Sequence, residues 1–320
     1  EVRDYTTLST NSNVSEIWQL HYQVITRANK VIARVPAVAG LSDAEKAQFV
    51  GEAKFMRALA YFQLVNLYAQ PFQVSNGTNL GVPLVLEDFT GDIAFPARNT
   101  VNEVHAQIQK DLTEAAAALP SSYEDAVETR GRATKGAAQA LLSRLHLYRG
   151  EWANAETAAR AALATGQYAL ATDYSFYSRD TRADVFTIQN SAVDNGRTGS
   201  GGWAAYFTPT QSGGRGDGPF SANLAAAYEA EPGDRRYALK QSGTAADGLT
   251  RLFTTKFPDG VTNADDSPVI RATEVYLNLA EALAQQTPSS PEAITILNDL
   301  RNRAGLVPKL LFANQLALVV

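Results

Sequence analysis

The chain of 320 residues carries a net charge of −5 and contains no cysteine. The acidic balance argues against nucleic acid as a main partner, since a phosphate backbone needs clustered lysine and arginine. The lack of cysteine excludes disulfides, thiol catalysis and cysteine-ligated zinc. A hydrophobic share of 45% and a charged share of 19% indicate a globular chain. Nothing in it forms the run of about 20 apolar residues that a membrane-spanning helix requires.

Three long helices are predicted in the first part of the chain, the first over about 15–34. Ser42 and Glu45 form a capping box, which opens a second helix that ends near Tyr68. Thr100 and Glu103 form another capping box, which opens a third helix to about Leu119. The second helix is expected to turn these residues inward: Phe49, Ala53, Met56, Ala60, Leu64 and Leu67. Between the second and third helices, residues 82–86 predict an extended run, at best an edge strand because of Pro83.

The stretch 136–169 contains two helical patterns joined at Gly150, with small residues such as Ser143 and Ala155 where two helices would meet. Its length of about 34 residues is typical of a tetratricopeptide helical pair. One such pair cannot bury its apolar face alone, so similar units should lie elsewhere in the chain. Residues 271–306 predict a second pair, in which Ser290 caps a helix that begins at Pro291.

Helical periodicity is lost between about 172 and 266, where glycines and single aromatic residues alternate with polar ones. This region predicts loops with short strands at 185–189 and 252–257 and a short helix at 222–230. The glycines at 214–218 predict a flexible loop, and Asp234-Arg235-Arg236 predicts a structural ion pair that holds a turn. The last residues, 307–320, are apolar without a clear period.

Sugar recognition uses aromatic faces against pyranose rings, with amides, carboxylates and guanidinium groups that bind hydroxyls. Loops on a rigid scaffold are the usual place for such groups. Two loop regions, 172–220 and 70–98, supply these candidate ligand-binding residues: Trp203, Tyr206, Tyr177, Tyr174, Asn195, Arg197, Phe72, Asn79 and Asp88. A tryptophan in a glycine-rich loop is about as commonly a buried anchor as a ligand platform, whereas Trp18 and Trp152 are expected to pack within helices.

The sequence does not favour an enzyme. Its three histidines show no HExxH spacing, and the chain has neither a Gly-x-Ser-x-Gly elbow nor the lysine of a phosphate loop. No catalytic residue, metal ligand or cofactor is therefore predicted. Glycoside hydrolysis stays open as an alternative, since two carboxyl groups about 5–10 Å apart in an aromatic cleft would support it.

Several stretches, taken in order, resemble one family. They include EAKFMRALAYFQLVNLYAQPF at 52–72, GVPLVLE at 81–87, RATKGAAQALLSRLHLYRGEWANAETAARAAL at 132–163 and RATEVYLNLAEALAQQ at 271–286. The chain is similar to the SusD/RagB-like nutrient-binding lipoproteins of Bacteroidota outer membranes. The resemblance implies a mostly α-helical fold, in which tetratricopeptide-like helix pairs form a scaffold with a loop-rich insertion that contains a few short strands. It implies a single domain over 1–320, with the scaffold at about 15–169 and 271–306 and the ligand-binding insertion at about 170–266.

The same resemblance implies a non-catalytic, cofactor-free protein at the cell surface of the outer membrane. Its ligand would be an oligosaccharide, delivered to a SusC-like TonB-dependent transporter contacted through the helical face. Family members are commonly longer, carry a lipidated N-terminal cysteine and close with an Arg-rich stretch, none of which is found in this sequence. We therefore expect pieces to be missing at one or both ends or before Val307, including the lipid anchor.

A helical-repeat adaptor that binds peptides is the alternative from a different class. Its groove would lie on the concave face of the repeats and present Lys135, Gln139 and Arg144. An open groove lined by these side chains would favour the adaptor, and coverage of that face by the 172–220 loops would count against it.

Overall fold

The computed structural model describes residues 7–8, 10–91, 95–178, 181–195 and 202–310, with the side chains of Ser178 and Trp203 left aside. Within these ranges the chain is mostly helical with four short strands, which confirms the predicted fold class. The helices are α1 (Ser12–Arg34), α2 (Asp43–Tyr68), α3 (Val101–Ala118), α4 (Ala126–Gly131), α5 (Lys135–Arg149), α6 (Trp152–Leu163), α7 (Trp203–Phe207), α8 (Ala222–Glu229), α9 (Ala272–Gln286) and α10 (Pro291–Arg303). In the described ranges, no helix is both long enough and apolar enough to cross a bilayer.

The chain divides into two compact units. The first comprises Glu1–Ser121 and Ala133–Ala162, and the second comprises Ser122–Arg132 and Leu163–Val320. The first unit holds α1, α2, α3, α5 and nearly all of α6, whereas the second holds α4, the remaining helices and the strands. The single SusD-like domain expected over 1–320 stays a prediction.

The two capping boxes form as predicted. Ser42 Oγ accepts from the Glu45 backbone N–H at 3.3 Å, and Glu45 Oε2 accepts from the Ser42 N–H at 2.8 Å. Thr100 and Glu103 make the same reciprocal pair, at 3.2 and 2.7 Å. Each box satisfies two of the amide groups that a helix start leaves without an intrahelical partner. The starts of α2 and α3 are therefore encoded by four residues each, close in sequence.

Helix α2 is the centre of the first unit, because α1, α3 and α5 all pack against it. Its middle turns are buried on several faces, with Phe55 and Tyr61 both at 0% exposure. The prediction that Phe49 and Leu67 face inward is wrong, since they are 37% and 59% exposed. A single inward stripe describes a helix covered on one side. Helix α2 is covered from several sides in the middle and left open towards both ends.

The extended segment 82–86 is not an edge strand, which corrects the prediction. Most of its backbone groups bind side chains, and Val82 O accepts from the backbone N–H of Asn99 at 3.2 Å. Asn29 Nδ2 donates to the Val85 carbonyl at 2.8 Å, and Tyr61 Oη accepts from the Val85 N–H at 2.7 Å. Buried backbone groups need partners of some kind, and here most of the partners come from helices α1 and α2, with Asn99 providing the others. Burial in this contact raises the pKa of Tyr61 to about 12.

A buried ionic network ties α1, α2 and α3 together. The Arg57 guanidinium binds both carboxylate oxygens of Asp111, at 2.7 and 2.8 Å, and also donates to Asn29 Oδ1 at 2.8 Å. The side chains of Arg57 and Asp111 are only 6% and 1% exposed. Such a bidentate pair combines charge with fixed geometry. The pair fixes the register of α2 against α3. Both side chains are too buried for water to replace either partner.

A second buried group in the first unit is His105, which is 3% exposed. The Phe72 ring stacks on it at a centroid distance of 5.8 Å, and the Arg149 guanidinium lies 4.6 Å from the Phe72 centroid. Among the described residues, His105 Nδ1 has no hydrogen-bond partner. Burial lowers the pKa of His105 to about 4, and the nearby Arg149 charge acts in the same direction. His105 is therefore neutral at physiological pH.

This histidine predicts a loss of stability in mild acid. The unfolded chain takes up a proton near the ordinary histidine pKa of about 6.5, whereas the folded state resists it until about pH 4. The contribution of His105 to the free energy of unfolding is therefore fully present above about pH 6.5, and it decreases as the pH falls towards 4. Urea unfolding of the parent and of His105→Gln should be measured from pH 7 to 4.5. The free energy of unfolding should decrease less steeply with falling pH in the variant than in the parent. Equal slopes would contradict this assignment.

Two antiparallel strand pairs define the non-helical part of the second unit. Strand β1 (Asp184–Ile188) pairs with β4 (Ser267–Arg271), and β2 (Lys240–Thr244) pairs with β3 (Thr250–Thr254). The strands predicted at 185–189 and 252–257 and the helix predicted at 222–230 correspond to β1, β3 and α8. Strands β2 and β4 and helices α4 and α7 were not predicted. The pair α9–α10 forms as expected, with Ser290 Oγ capping the second helix.

The glycine-rich segment before α8 is pinned along its length, contrary to the predicted flexible loop. The Arg215 N–H donates to Ala205 O at 2.8 Å, and the Gly216 N–H donates to Thr208 O at 3.0 Å. Gly216 O in turn accepts from the Ala246 N–H at 3.0 Å. The glycines let the backbone approach these neighbours closely, so this segment connects α7 to the turn after β2.

Candidate ligand-binding site

A cavity of about 360 Å³ in the second unit is walled mainly by aromatic and aliphatic side chains. Its volume falls within the range of small-ligand cavities, about 300–1,000 Å³. The apolar walls come from α7, the segment before α8, α8 itself, the residue before β2 and the segment after β3: Phe207, Phe220, Leu224, Tyr228, Leu239 and Phe257. We refer to this space as the aromatic cavity.

Local sequence explains how the rings come together. Ser221 Oγ accepts from the Leu224 N–H at 3.1 Å and caps α8, so Phe220 lies immediately before the helix. Leu224 and Tyr228 are four residues apart and share one helix face. The rings of Phe220, Tyr228 and Tyr237 form a near-parallel series, with centroid distances of 6.3 and 5.2 Å. Flat apolar faces of this kind suit the apolar side of a sugar ring.

The two charged residues that line the cavity, Arg236 and Lys256, are both cationic. Arg236 binds Asp234 through both carboxylate oxygens, with the shortest contact at 2.6 Å, which confirms the predicted ion pair. Burial acts to raise the pKa of Asp234. The hydrogen bonds and the charge of Arg236 outweigh this effect and hold the pKa below its usual value. Lys256 also lines the cavity, with its ammonium 4.9 Å from the Tyr177 ring centroid. None of the lining side chains carries a carboxylate.

Two of the tyrosines predicted from the sequence each contact an arginine, and one of them also adjoins the cavity. Tyr177 contacts Phe257 edge-to-face at a centroid distance of 6.2 Å, and the Arg271 guanidinium lies 4.4 Å from its ring. Tyr174 lies 5.3 Å from the Arg303 guanidinium. Burial raises the pKa of Tyr174 above its ordinary value. Tyr177 is the closer of the two, because it touches a ring that lines the cavity.

The other candidates of the second unit have separate surroundings. Tyr206 is 41% exposed, and the Arg215 guanidinium lies 4.4 Å over its ring. Asn195 Nδ2 donates to Thr262 O at 3.1 Å, so this amide is engaged in holding two loops together. Arg197 and the side chain of Trp203 lie outside the described residues.

The three candidates of the first unit each have an internal partner. Phe72 packs against His105 and Arg149, as described above. Asn79 Nδ2 donates to Gln70 O at 3.0 Å, which closes the loop after α2. Asp88 accepts from Arg34 Nε at 2.7 Å. These contacts give all three side chains a role in holding the fold of the first unit.

The first unit also has an open groove of about 550 Å³ along α1, lined by Trp18, Tyr22 and Arg27 among others. The Trp18 ring contacts Tyr68 edge-to-face at 4.9 Å, which agrees with its predicted packing role. A single helix supplies the lining residues. The aromatic cavity differs because several segments of the second unit converge on it.

The residues suggested for a peptide groove lie on α5. Lys135 is exposed, whereas Gln139 and Arg144 are half-buried. The Arg144 guanidinium lies 5.9 Å from the Phe62 ring centroid and covers part of α2. This contact engages Arg144 within the first unit.

The helix pairs and the strand-containing segments define a tetratricopeptide-like scaffold protein, and its second unit contains the aromatic cavity. A family model described as "Starch-binding associating with outer membrane" matches residues 1–147, and one described as "SusD family" matches residues 175–315. The chain belongs to the SusD/RagB-like family, as the resemblance in sequence implied.

Relatives and solved structures agree with this placement. SusD-like protein P25 of Formosa agariphila is 32% identical over 141 residues, which cover 44% of this chain and 24% of that protein. SusD-like protein P2 of the same organism is 26% identical, with 96% of this chain and 65% of that protein covered. The chain thus spans between about a quarter and two thirds of these relatives. A putative sugar binding protein from Bacteroides vulgatus is 26% identical with a TM-score of 0.77, covering 91% of this chain and 65% of that one.

A structure described as a laminarin binding SusD-like protein has the same fold. It is 23% identical with a TM-score of 0.74, and the match covers 92% of this chain and 71% of that one. Together with the Bacteroides vulgatus structure, it confirms the helical scaffold with few strands.

Sequence reasoning missed most of the residues that form the aromatic cavity. Phe220 belongs to the aromatic-rich region considered, but Tyr228, Lys256 and Phe257 were not selected. One signal was available. Leu224 and Tyr228 fall four residues apart in a helix that the sequence predicts, directly after Phe220.

Proposed function

We propose that the protein binds an oligosaccharide without catalysing its breakdown, and that the aromatic cavity holds part of this ligand. The observation that carries the proposal is the convergence of four aromatic rings on one cavity of about 360 Å³. Aromatic side chains give a large contact area at low entropic cost, and two cations at the same cavity provide donors for oxygen atoms. The lack of a carboxylate among the lining residues gives no support to a glycoside hydrolase at this cavity.

The family supports a sugar as the ligand. One matching family model is described as starch-binding, and two structures of this fold are described as sugar or laminarin binding. By the same family relation, we propose delivery to a SusC-like TonB-dependent transporter at the outer membrane, with a lipid anchor on the full-length protein. The nine residues chosen from the sequence remain proposed contacts, and Tyr177 has the best support because it adjoins the cavity.

A double variant tests the placement. Phe220→Ala combined with Tyr228→Ala removes two stacked rings, and we expect binding to weaken at least about tenfold, or about 1.4 kcal/mol. The measurement is affinity electrophoresis of the parent and the variant against a panel of soluble polysaccharides, with circular dichroism as a check on folding. The matched control is Phe95→Ala, which removes a ring that is 92% exposed in the first unit.

The opposite pattern would place the site elsewhere. Full binding by the double variant together with loss in Phe95→Ala would move the ligand to the 70–98 loop. If the parent bound no polysaccharide, the proposal itself would fail. The peptide adaptor would then be tested by a pull-down with immobilised peptides.

A further inference from the structure

We infer that the aromatic cavity selects an acidic saccharide, one that carries a carboxylate or a sulfate ester, and that Lys256 binds this anionic group. The inference rests on the proposed function and names the chemical class of its ligand. Its basis is the position of one ammonium group at the cavity and the charge of the residues around it.

Lys256 has the position that an anion site requires. It lies just after β3, next to Phe257 in sequence, and its half-buried side chain lines the cavity. Its ammonium lies 4.9 Å from the centroid of the Tyr177 ring. No described Asp or Glu lies within ion-pair distance of its ammonium. A half-buried charge is costly unless a charge of opposite sign or several hydrogen bonds balance it.

Two other cations of the second unit are each paired with an acidic side chain. Arg236 is held by Asp234 at 2.6 Å, and Arg301 is held by Glu231 at 3.1 Å. Lys240 is a closer comparison because it also lies over an aromatic ring, 3.1 Å from the Tyr237 centroid. Its ammonium, however, donates to the Tyr237 carbonyl at 2.9 Å and does not line the cavity.

The residues that line the aromatic cavity also favour an acidic ligand. A site for neutral sugars gains from carboxylates that accept hydrogen bonds from hydroxyl groups, and none lines this cavity. Its two charged groups, Arg236 and Lys256, are both donors only. With Arg236 already bound to Asp234, Lys256 provides the net positive charge at the aromatic walls. A uronate carboxylate or a sulfate ester would complete the pair while the sugar ring packs against the rings.

The test compares Lys256→Gln, Lys256→Arg and Lys240→Gln with the parent. Each protein is titrated with oligosaccharides of polygalacturonate, of a sulfated galactan and of neutral laminarin, at 20 and 300 mM NaCl. We expect the parent to bind an acidic series at least tenfold more tightly than laminarin at low salt. We expect Lys256→Gln to lose this preference and its salt dependence, and Lys256→Arg and Lys240→Gln to retain both.

The possible outcomes distinguish oligosaccharide binding from the preference for an acidic saccharide. Tighter binding of polygalacturonate than of the galactan would identify a carboxylate as the anion, and the reverse would identify a sulfate. Equal affinities of the parent and Lys256→Gln for every series would overturn the acidic-ligand inference and leave oligosaccharide binding standing. If the parent bound none of the three series and no other glycan, both proposals would fail.

Discussion

Replacement of Asp111 by alanine should lower the free energy of unfolding by about 3–5 kcal/mol. The reason is the partner that remains: the Arg57 side chain is only 6% exposed and would keep its charge without the carboxylate it binds at 2.7 Å. The remaining bonds, to Asn29 Oδ1 at 2.8 Å and to Leu86 O at 3.4 Å, are to neutral groups and cannot balance the charge. Urea unfolding followed by circular dichroism measures the difference.

Glu114 provides the matched control, since it lies on the same helix, three residues after Asp111. It pairs with Lys54 of α2 at 2.6 Å, but its side chain is 40% exposed. Glu114→Ala should therefore change the free energy of unfolding by no more than about 1 kcal/mol. Similar losses in the two variants would show that burial does not decide the contribution of these ion pairs, and would contradict the role assigned to the buried network.

Gly214→Ala should destabilise the second unit by about 3 kcal/mol, the upper end of the usual cost of overpacking. A Cβ at this position would lie 2.0 Å from the Thr208 carbonyl oxygen and 2.4 Å from its carbon. Both are backbone atoms, so no rotation of a side chain can relieve the clash. The segment would have to move away from Thr208, whose carbonyl also accepts from the Gly216 N–H.

Gly248→Ala is the control that distinguishes the cost of a steric clash from the cost of an unfavourable backbone conformation. Gly248 has a φ of +80° and no atom within 4 Å of its Cβ position, so its only cost is conformational, about 1–2 kcal/mol. Gly214 has no such positive φ and should nevertheless be the more sensitive position. Thermal unfolding of the two variants decides the order. A larger loss in Gly248→Ala would mean that the glycine-rich segment is not held closely against Thr208.

The parts of the fold that the sequence predicts are those encoded locally. The capping boxes at Ser42 and Thr100 set helix starts from residues three apart, and Gly150 ends α5 with a φ of +72°, a conformation that glycine readily adopts. The failures are non-local. Residues 82–86 have the composition of an extended strand, but most of their partners are side chains of α1 and α2 that lie far away in sequence.

The candidate site divides in the same way. Residue type and loop context selected Tyr177, which adjoins the aromatic cavity, but also Asn79 and Asp88, which hold the fold of the first unit. No sequence pattern distinguishes an amide that binds a ligand from one that closes a loop. Lys256 could not have been selected either, because its importance depends on which charges surround it in space.

The most direct test of the account is a crystal structure of the protein with an oligosaccharide identified by the binding panel. We expect a sugar ring within about 4 Å of the Phe220 and Tyr228 rings, with an acidic group directed at the Lys256 ammonium. A ligand bound in the first unit, against Phe95 or in the groove along α1, with the aromatic cavity vacant, would contradict it.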